Sequence, residues 1–578
     1  MAAVAQMTTV APEGMQLKAK ELVRKYNSMK VELDMWTPTW QELAEFMMPR
    51  KANVQLTRSP GQAQTERLMD STAVHANVLL SASMQSSLTS SSVRWFYYRI
   101  RGLVPGKIPT VDKWLEAAGE VTYDELRKSN FNSESSEFYS DLGVFGTAAM
   151  FVDEKKKRLG QSFSGLRFLT LQAGTYVIGE NEEGFVDTLG YRFKLTCRQA
   201  AMQFGKERIS PSLQKNLQEG KNEDAQFDFI HIVYPRYTPG VGENVNVKAP
   251  KDRPWASVWI EEAEAWICKE SGYHEFPFVV ARWTKASGET YGRSPGYTAL
   301  PDTKTLNKLV ELKLRALAVM VQPPVKVRDD GVLSQVRLFP GGQTHVRDMD
   351  AVEALRIEGR MDVANMEQDK IQGAIRRIFF SDQLQLQDGP QMTATEVNVR
   401  YEMMQRILGP TLGRLEHEFL APLINRVFNI LNRRKMLPEA PPELAQFYKE
   451  GGLHEIEYEG PLQRAQRLSD LAAIQRFTQM VVPLAQVDMA ILDIIDLDEV
   501  ARVVAKAAGV PAAMIRDQDE IDEKRAQRAE QQAAQAQAQQ MESASKAGGQ
   551  VAPLMEAMTK ATEAGIIPPN SMGGLMGG

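Results

Sequence analysis

The chain opens in a helical rhythm. Residues 14–31 and 38–48 repeat apolar side chains every three or four positions, which predicts two helices, with Thr37-Pro38 opening the second and Pro49 ending it. A third helix is predicted from Glu66 to Leu88, where Leu68, Ala73, Ala76, Val78, Leu79 and Leu80 lie among serines and small residues. VRWFYYRI, from Val93 to Ile100, changes to aromatic and β-branched strand chemistry. A helix near 111–142 leads into LGVFGTAAMFVDE, in which two glycines introduce an apolar strand. From Phe163 to Trp283 short alternating segments follow, including GLRFLTLQAGTYVIGE, TLGYRFKLT, DFIHIVYPRY, ASVWIEEAEAWICKE and HEFPFVVARW. Separated by Gly, Asn and Pro, they predict antiparallel strands in a meander, making this region α+β.

After Ser294-Pro295-Gly296 the period changes again. Asp302 to Gln322 reads as one helix capped by Asp302, with Leu306, Leu309, Val310, Leu317 and Met320 on one stripe and Lys304, Lys308, Glu311 and Arg315 on another. It would be about 30 Å long, and Pro323-Pro324 stops it. A small β unit with turns at Asp330-Gly331 and Pro340-Gly341-Gly342 separates it from a second helix over Asp362–Phe380. The glutamine-rich SDQLQLQDGPQ comes next. Thr393 and Glu396 then have the spacing of a capping box, so the following helix is fixed at its start while the loop ahead of it is not. That helix continues through a kink at Gly409-Pro410 to about Arg434, and further helices are expected after it, among them residues 497–508 and the alanine- and glutamine-rich EIDEKRAQRAEQQAAQAQAQQMESASK.

Composition narrows the possibilities. At 578 residues the chain is several times the size of one hydrophobic core, so three or four substructures are expected. A net charge of −5 argues against a clamp that neutralises many phosphates. Two cysteines, Cys197 and Cys268, build neither a disulfide framework nor a CxxC metal site, and no signal segment opens the chain, which together point to a reducing cytoplasm as the place of synthesis. The longest apolar candidate, VVPLAQVDMAILDIIDL from Val481, is broken by Pro483, Asp488, Asp493 and Asp496, so no membrane span is expected.

Catalytic chemistry is not indicated. His75, His231, His274, His345, His417 and His454 are scattered without ligand spacing. LEHEFLAP resembles the start of a zinc-protease helix, but Ala421 occupies the position where the second histidine is needed. There is no GxxxxGK[ST] loop and no GxSxG elbow, and PGVGENV lacks a third glycine. An enzyme, and an ATP-driven motor in particular, is therefore disfavoured, and no cofactor or metal is implied.

Two groups of polar residues admit two readings each. Lys304, Lys308, Arg315, Lys370, Arg376 and Arg377 lie on the two helices that bracket the β unit; they form either a solvated face with i,i+4 ion pairs or a charged lining. Gln383, Gln385, Gln387 and Gln391, with Asp388 among them, form either a surface loop or polar, mostly uncharged contacts to a passing polyanion.

Six stretches carry a resemblance. They are MPR at Met48, MDSTAVHANVLLSASMQSSLTSSSVRWF from Met69, LGVFGTAAMFVDE from Leu142, YGRSPGYTALPDTKTLNKLVELKL from Tyr291, MTATEVNVRYEMMQRILGP from Met392 and IEYEGPLQRAQR from Ile456. In this order they resemble the head-to-tail connector, or portal, family of short-tailed bacteriophages, over roughly residues 15–480. The resemblance implies a multidomain α+β fold assembled as a dodecameric ring. Residues 1–295 would be the wing, 296–322 the first stem helix, 323–358 a small α/β clip and 359–380 the second stem helix. Residues 381–393 would be the tunnel loop, 394–434 a long kinked wing helix, 435–530 the helical crown and 531–578 a low-complexity tail.

The family is a conduit at one capsid vertex, through which the terminase motor packages DNA that later leaves by the same route. The implied partners are other copies of the chain, double-stranded DNA, the terminase large subunit, the major capsid and scaffolding proteins, and tail adaptor and nozzle proteins, with no membrane. The chain would be made in the host bacterial cytoplasm and reside in the virion. Arg328, Arg337 and Arg347 would face terminase or the tail from the clip, and the glutamine-rich loop would approach the DNA. Another non-enzymatic virion protein, an internal head protein or tail adaptor, is the alternative; it would not need a β unit between two long helices followed by a loop.

Overall fold

A computed structural model describes residues 13–55, 65–91, 94–100, 109–155, 163–220, 224–236, 249–337, 343–347, 349–354, 361–384, 408–444, 454–458 and 520–539, with isolated helical positions between 474 and 504 and at 556 and 560. The chain divides into two compact units, Met1–Pro105 with Trp114–Arg467, and Gly106–Lys113 with Leu468–Gly578. In the second unit the described residues include an exposed helix over 520–539. The first unit holds the helices and sheets described next, except for Pro109–Lys113, the first residues of one helix, which belong to the second unit.

The predicted pair of N-terminal helices is one helix, α1 (Glu13–Met47), with Pro38 inside it. Proline removes an N–H and leaves the carbonyl of Asp34 without its helical donor. The Thr37 hydroxyl supplies a donor instead, 3.2 Å from that oxygen. Leu33, Trp40, Leu43 and Met47 are buried on both sides of the proline, so the packed stripe continues through it. α2 (Thr72–Leu88) begins six residues later than expected. The long helix predicted over 111–142 is two helices, α3 (Pro109–Lys128) and α4 (Phe131–Phe145). LGVF is the end of α4 rather than strand; Gly146, at φ 78°, caps it in the left-handed region that favours glycine, and the strand that follows starts only at Thr147.

The β-rich region forms two antiparallel sheets. β4 (Tyr176–Glu180), β5 (Val186–Thr196), β6 (Gln226–Pro235), β7 (Trp255–Glu261) and β8 (Trp266–Tyr273) follow one another in space as in sequence, the expected meander. β2 (Thr147–Glu154) lies between β3 (Leu166–Thr170) and β9 (Phe278–Arg282) in the other sheet. Two short helices, α5 (Cys197–Phe204) and α6 (Pro211–Glu219), cross between β5 and β6, and their apolar sides join Phe229 and Cys268 in a local core. β1 (Phe96–Ile100) pairs not with its neighbours but with β12 (His454–Tyr458), a strand within the region expected to be helical.

α7 (Pro295–Val321) starts seven residues before the predicted cap, with Pro295 in its first turn and Ser294 extended ahead of it, so Asp302 lies inside the helix. The antiparallel pair β10 (Val325–Val327) and β11 (Val352–Ala354) follows, with a Val332–Val346 bridge further out; the described residues between α7 and the next helix hold no helix of their own. α8 (Met361–Ile378) returns, and α9 (Ser381–Leu384) adds one turn. α10 covers residues 408–433 and contains a π turn, Glu416–Leu420, ahead of its final regular stretch Ala421–Arg433. The Thr393–Glu396 box and the glutamine-rich loop beyond Leu384 lie outside the described residues, as does the helix ahead of Gly409-Pro410.

Two buried titratable groups act on stability in opposite directions. Glu261 is buried with Oε2 unpartnered, and burial pushes its carboxyl up to about 7, against a hydrogen bond from Ser210. Its folded pKa exceeds its ordinary 4.5, so its contribution is complete below that value and is lost as pH rises through about 7. His231 is buried, stacked on Trp259 at 3.8 Å with Nε2 2.8 Å from Ser257 Oγ, and burial holds it down to about 3. Its contribution is present above its ordinary 6.5 and is lost as pH falls towards about 3. Urea unfolding between about pH 5 and 8 should therefore show Glu261→Gln gaining stability over the parent as pH rises, by about 1–2 kcal/mol at the upper end. A constant difference across that range would contradict the assignment.

Candidate functional site

Segments far apart in sequence converge where α7 begins. The Ser294 hydroxyl donates to the Val144 carbonyl at 2.5 Å, and the Gly292 amide donates to Thr147 Oγ1 at 2.7 Å. A Cβ on Gly146 or on Gly292 would run into the other's carbonyl oxygen, so these two backbones can cross only as glycines. Met47 Sδ lies against Gly296, and Lys51 reaches back to the buried Asp141 of α4 at 2.7 Å. Burial raises the Asp141 carboxyl to about 6, even with Lys51 beside it.

About three helical turns further along, Asn307 is buried, with both the oxygen and the nitrogen of its side chain hydrogen-bonded. Its Oδ1 accepts from the amides of Met69 and Asp70 at 2.6 and 3.0 Å, and its Nδ2 donates to Thr303 O at 2.8 Å. Asp70 also accepts from the Thr72 amide at 2.8 Å and from Gln372 Nε2 of α8 at 2.7 Å. The entry to α2 thus holds both helices of the hairpin at one level. Lys313 Nζ donates to Gln368 Oε1 at 2.9 Å higher up. Asn307 level with Gln372 and Lys313 level with Gln368 make α7 and α8 antiparallel.

Beyond this root the hairpin stands almost without a core. No residue of α7 past Asn307 is buried, and Ile375 is the only buried residue of α8. Leu312 is 51% exposed, Leu314 53% and Met366 62%. At about 100° per residue, Leu312 and Leu314 flank Lys313 on opposite sides of the direction in which α8 lies.

The expected site residues divide among several surroundings. Lys304 pairs with Glu42 of α1 at 2.6 Å, within the same protomer. Lys308 and Arg315 share Glu311, at 2.9 and 2.5 Å, and the Lys308 hydrogen bond, with Arg315 nearby, holds that carboxyl below its usual range. Lys370 pairs with Glu367 at 3.1 Å. Arg377 Nε donates to Gly373 O at 3.2 Å, and Arg376 is exposed. Arg328, Arg337 and Arg347 are exposed around the β ribbon. Gln383, expected in a loop, belongs to the helical turn α9, whereas Gln385, Gln387, Asp388 and Gln391 lie outside the described residues. The π turn takes His417, so LEHEFLAP is not the regular helix a zinc-protease motif requires. Among the described residues no group of three His, Cys, Asp or Glu side chains could hold a metal, and no helix is long and apolar enough to cross a membrane.

Sequence reading passed over Asp70, Asn307 and Gln372. The available signal was Asn307 itself, a poor helix former in the middle of a long helix.

A mixed α+β body that carries an exposed helical hairpin is the arrangement found in structural connectors of the family this chain matches. The chain belongs to the bacteriophage head-to-tail connecting protein family, whose model matches residues 19–515. It is similar to the probable portal protein of Bordetella phage BPP-1, 28% identical over 565 residues that make up 95% of this chain and 99% of that relative. It is likewise 28% identical over 537 residues to the portal protein of Salmonella phage epsilon15, covering 90% and 93% of the two chains. The portal protein of Escherichia phage T7 is more distant, 20% identical over 356 residues, 61% of this chain and 62% of that one.

Replacing Asn307 with Ala leaves the Met69 and Asp70 amides without their acceptor. Asn307→Ala should cost about 1–3 kcal/mol and speed hydrogen exchange at those two amides, whereas Asn307→Asp, which keeps the acceptor, should protect them in part. Unchanged exchange in the alanine variant would show that the root is held by other contacts.

Proposed function

We propose that the chain is a bacteriophage portal subunit: copies close into a ring at one capsid vertex, DNA passes through the ring during packaging and ejection, and tail proteins attach to it. The observation that carries this reading is the hairpin, with exposed apolar side chains on more than one side and almost no core of its own. In proteins most helical stability comes from packing an apolar face, which this hairpin leaves largely exposed, so the hairpin needs neighbours. A two-fold dimer would cover one side of it, whereas a cyclic succession of head-to-tail contacts covers both. The family match over most of the chain supports the same reading.

In this reading α7 and α8 are the stem and the β10–β11 ribbon belongs to the clip, where Arg328, Arg337 and Arg347 meet the terminase large subunit and later the tail adaptor and nozzle proteins. The wing meets the capsid and scaffolding proteins. Gln383, Gln385, Gln387, Asp388 and Gln391 form a constriction around the DNA. Lys370, Arg376 and Arg377 divide between the lumen and subunit contacts. The subunit supplies a path and performs no catalysis, and the ring is a dodecamer.

Light scattering after size exclusion, with electron microscopy of the same fraction, should find a large closed particle with a central hole. A strict monomer at every concentration would sink the proposal. Within a ring, deleting part of 383–391 should leave the particle intact and reduce DNA packaging or retention; normal virion yield would remove the constriction role.

A further inference from the structure

Two exposed stripes on the hairpin match each other in spacing and oppose each other in charge. On α7, Lys308, Leu312 and Arg315 follow one another at four and three residues, all of them exposed. On α8, Asp362, Met366 and Asp369 repeat the same intervals, again exposed. With Lys313 and Gln368 marking where the helices face each other, helical geometry puts the two stripes on opposite edges of the hairpin, about 180° apart. They therefore cannot meet within one protomer. Glu311 holds Lys308 and Arg315 at 2.9 and 2.5 Å, which fixes both cations along their edge. Gly373, one step beyond Asp369 on the acidic stripe, has nothing within 4 Å of where a Cβ would sit, leaving room for a close helix approach.

We infer that the α7 edge of one protomer packs antiparallel on the α8 edge of the next, with Lys308 on Asp369, Leu312 on Met366 and Arg315 on Asp362. The inference rests on the ring proposed above and names the contact that closes it. Antiparallel order is what the pairing requires: ascending α7 meets descending α8, and each pairing has the same offset of about one helical turn. The contact is heterologous, basic edge to acidic edge, so a second protomer leaves one edge of each sign open for a third. The apolar pair supplies the burial, and the flanking charges set register and reject a slipped or face-to-face arrangement.

Charge exchange in the full-length chain tests this directly. Lys308→Glu/Glu311→Lys/Arg315→Glu reverses the basic edge while keeping the pairs within α7, and Asp362→Lys/Asp369→Lys reverses the acidic edge. Each variant alone should need at least about tenfold more protein for half-assembly, because every contact in the ring then meets like charges. Mixing the two should restore assembly, since each edge then meets its opposite in alternating order, and native mass spectrometry should show equal numbers of the two subunits per ring. Rescue by mixing also shows that both variants are folded. Near-parental assembly of either variant alone, or folded variants by circular dichroism that fail to assemble when mixed, would overturn the pairing. If the parental chain forms no ring, the portal reading itself fails; if it does and the exchanges have no effect, this contact alone is wrong.

Discussion

Much of the first unit hangs on one buried cation. Arg282, on β9, is 1% exposed, and its guanidinium donates to both carboxylate oxygens of Glu418, at 2.7 and 3.2 Å, to Glu180 of β4, and to the carbonyls of Gly184 and Thr290. Its backbone amide donates to Glu418 as well, at 2.9 Å. A buried charge is tolerated only when its partners are present and well placed, and removing one partner is far more costly than the pair is stabilising. Three elements are thereby tied together: β9, which carries Arg282, in one sheet, β4 in the other, and the π turn of α10. The π turn is part of the device, because its wider bonding lets Glu418 reach Arg282 while Phe419 stacks on Phe138 of α4 at 4.2 Å.

From this hub burial falls off towards the hairpin. The root of α7 is surrounded by the crossing of Gly146 and Gly292, by Ser294 on Val144, and by Asn307 on the entry to α2. Past Asn307 burial stops, and side chains such as Leu312 and Met366 face outward from helices that have only each other. The body is thus a platform that sets the direction of α7, and the hairpin is a projection with almost no core of its own. A single chain pays for a rigid root because an error of angle there is multiplied along the roughly 20 Å of helix that follows Asn307.

The fold was legible where local chemistry and tertiary packing agree. The meander β4–β8 was visible as alternation, and the two helices around a β unit as a change of period. Errors arose where a distant contact decided the outcome. Pro38 reads as a helix start until the Thr37 hydroxyl is seen to serve the Asp34 carbonyl and Trp40 to carry the buried stripe onward. Asp302 reads as a cap until Ser294 is found pinned to Val144 about two turns earlier. β12 pairs with a strand more than 350 residues away in sequence, which no local pattern reveals. At the site, the six cations were visible as residue types, but their partners were not: Glu42, which takes Lys304, lies on another helix entirely. Conversely, LGVFG, YGRSPG and MDSTA, the stretches that carried the family resemblance, turn out to be the segments in contact at the root of α7. Their spelling follows from backbone crossings and saturated amides rather than from any chemistry on a substrate.

The partnering of those cations bears on how a strongly charged polymer could move past them. Each phosphate that a free lysine or arginine neutralises releases counterions and must be released again before the next step, so a wall of unpaired cations would hold DNA in place. Along this hairpin Lys304 is given to Glu42, Lys308 and Arg315 share Glu311, and Lys370 faces Glu367, each within 3.1 Å. A phosphate competing for any of them would have to displace a carboxylate already in hydrogen-bond contact, which weakens its hold. In the proposed contact between protomers, Glu311 would hold Lys308 and Arg315 as directional groups facing a neighbouring chain that is fixed in position and repays the exchange. In the proposed ring, DNA passing Lys304, Lys308, Arg315 and Lys370 would therefore meet cations already engaged by carboxylates, which is compatible with movement.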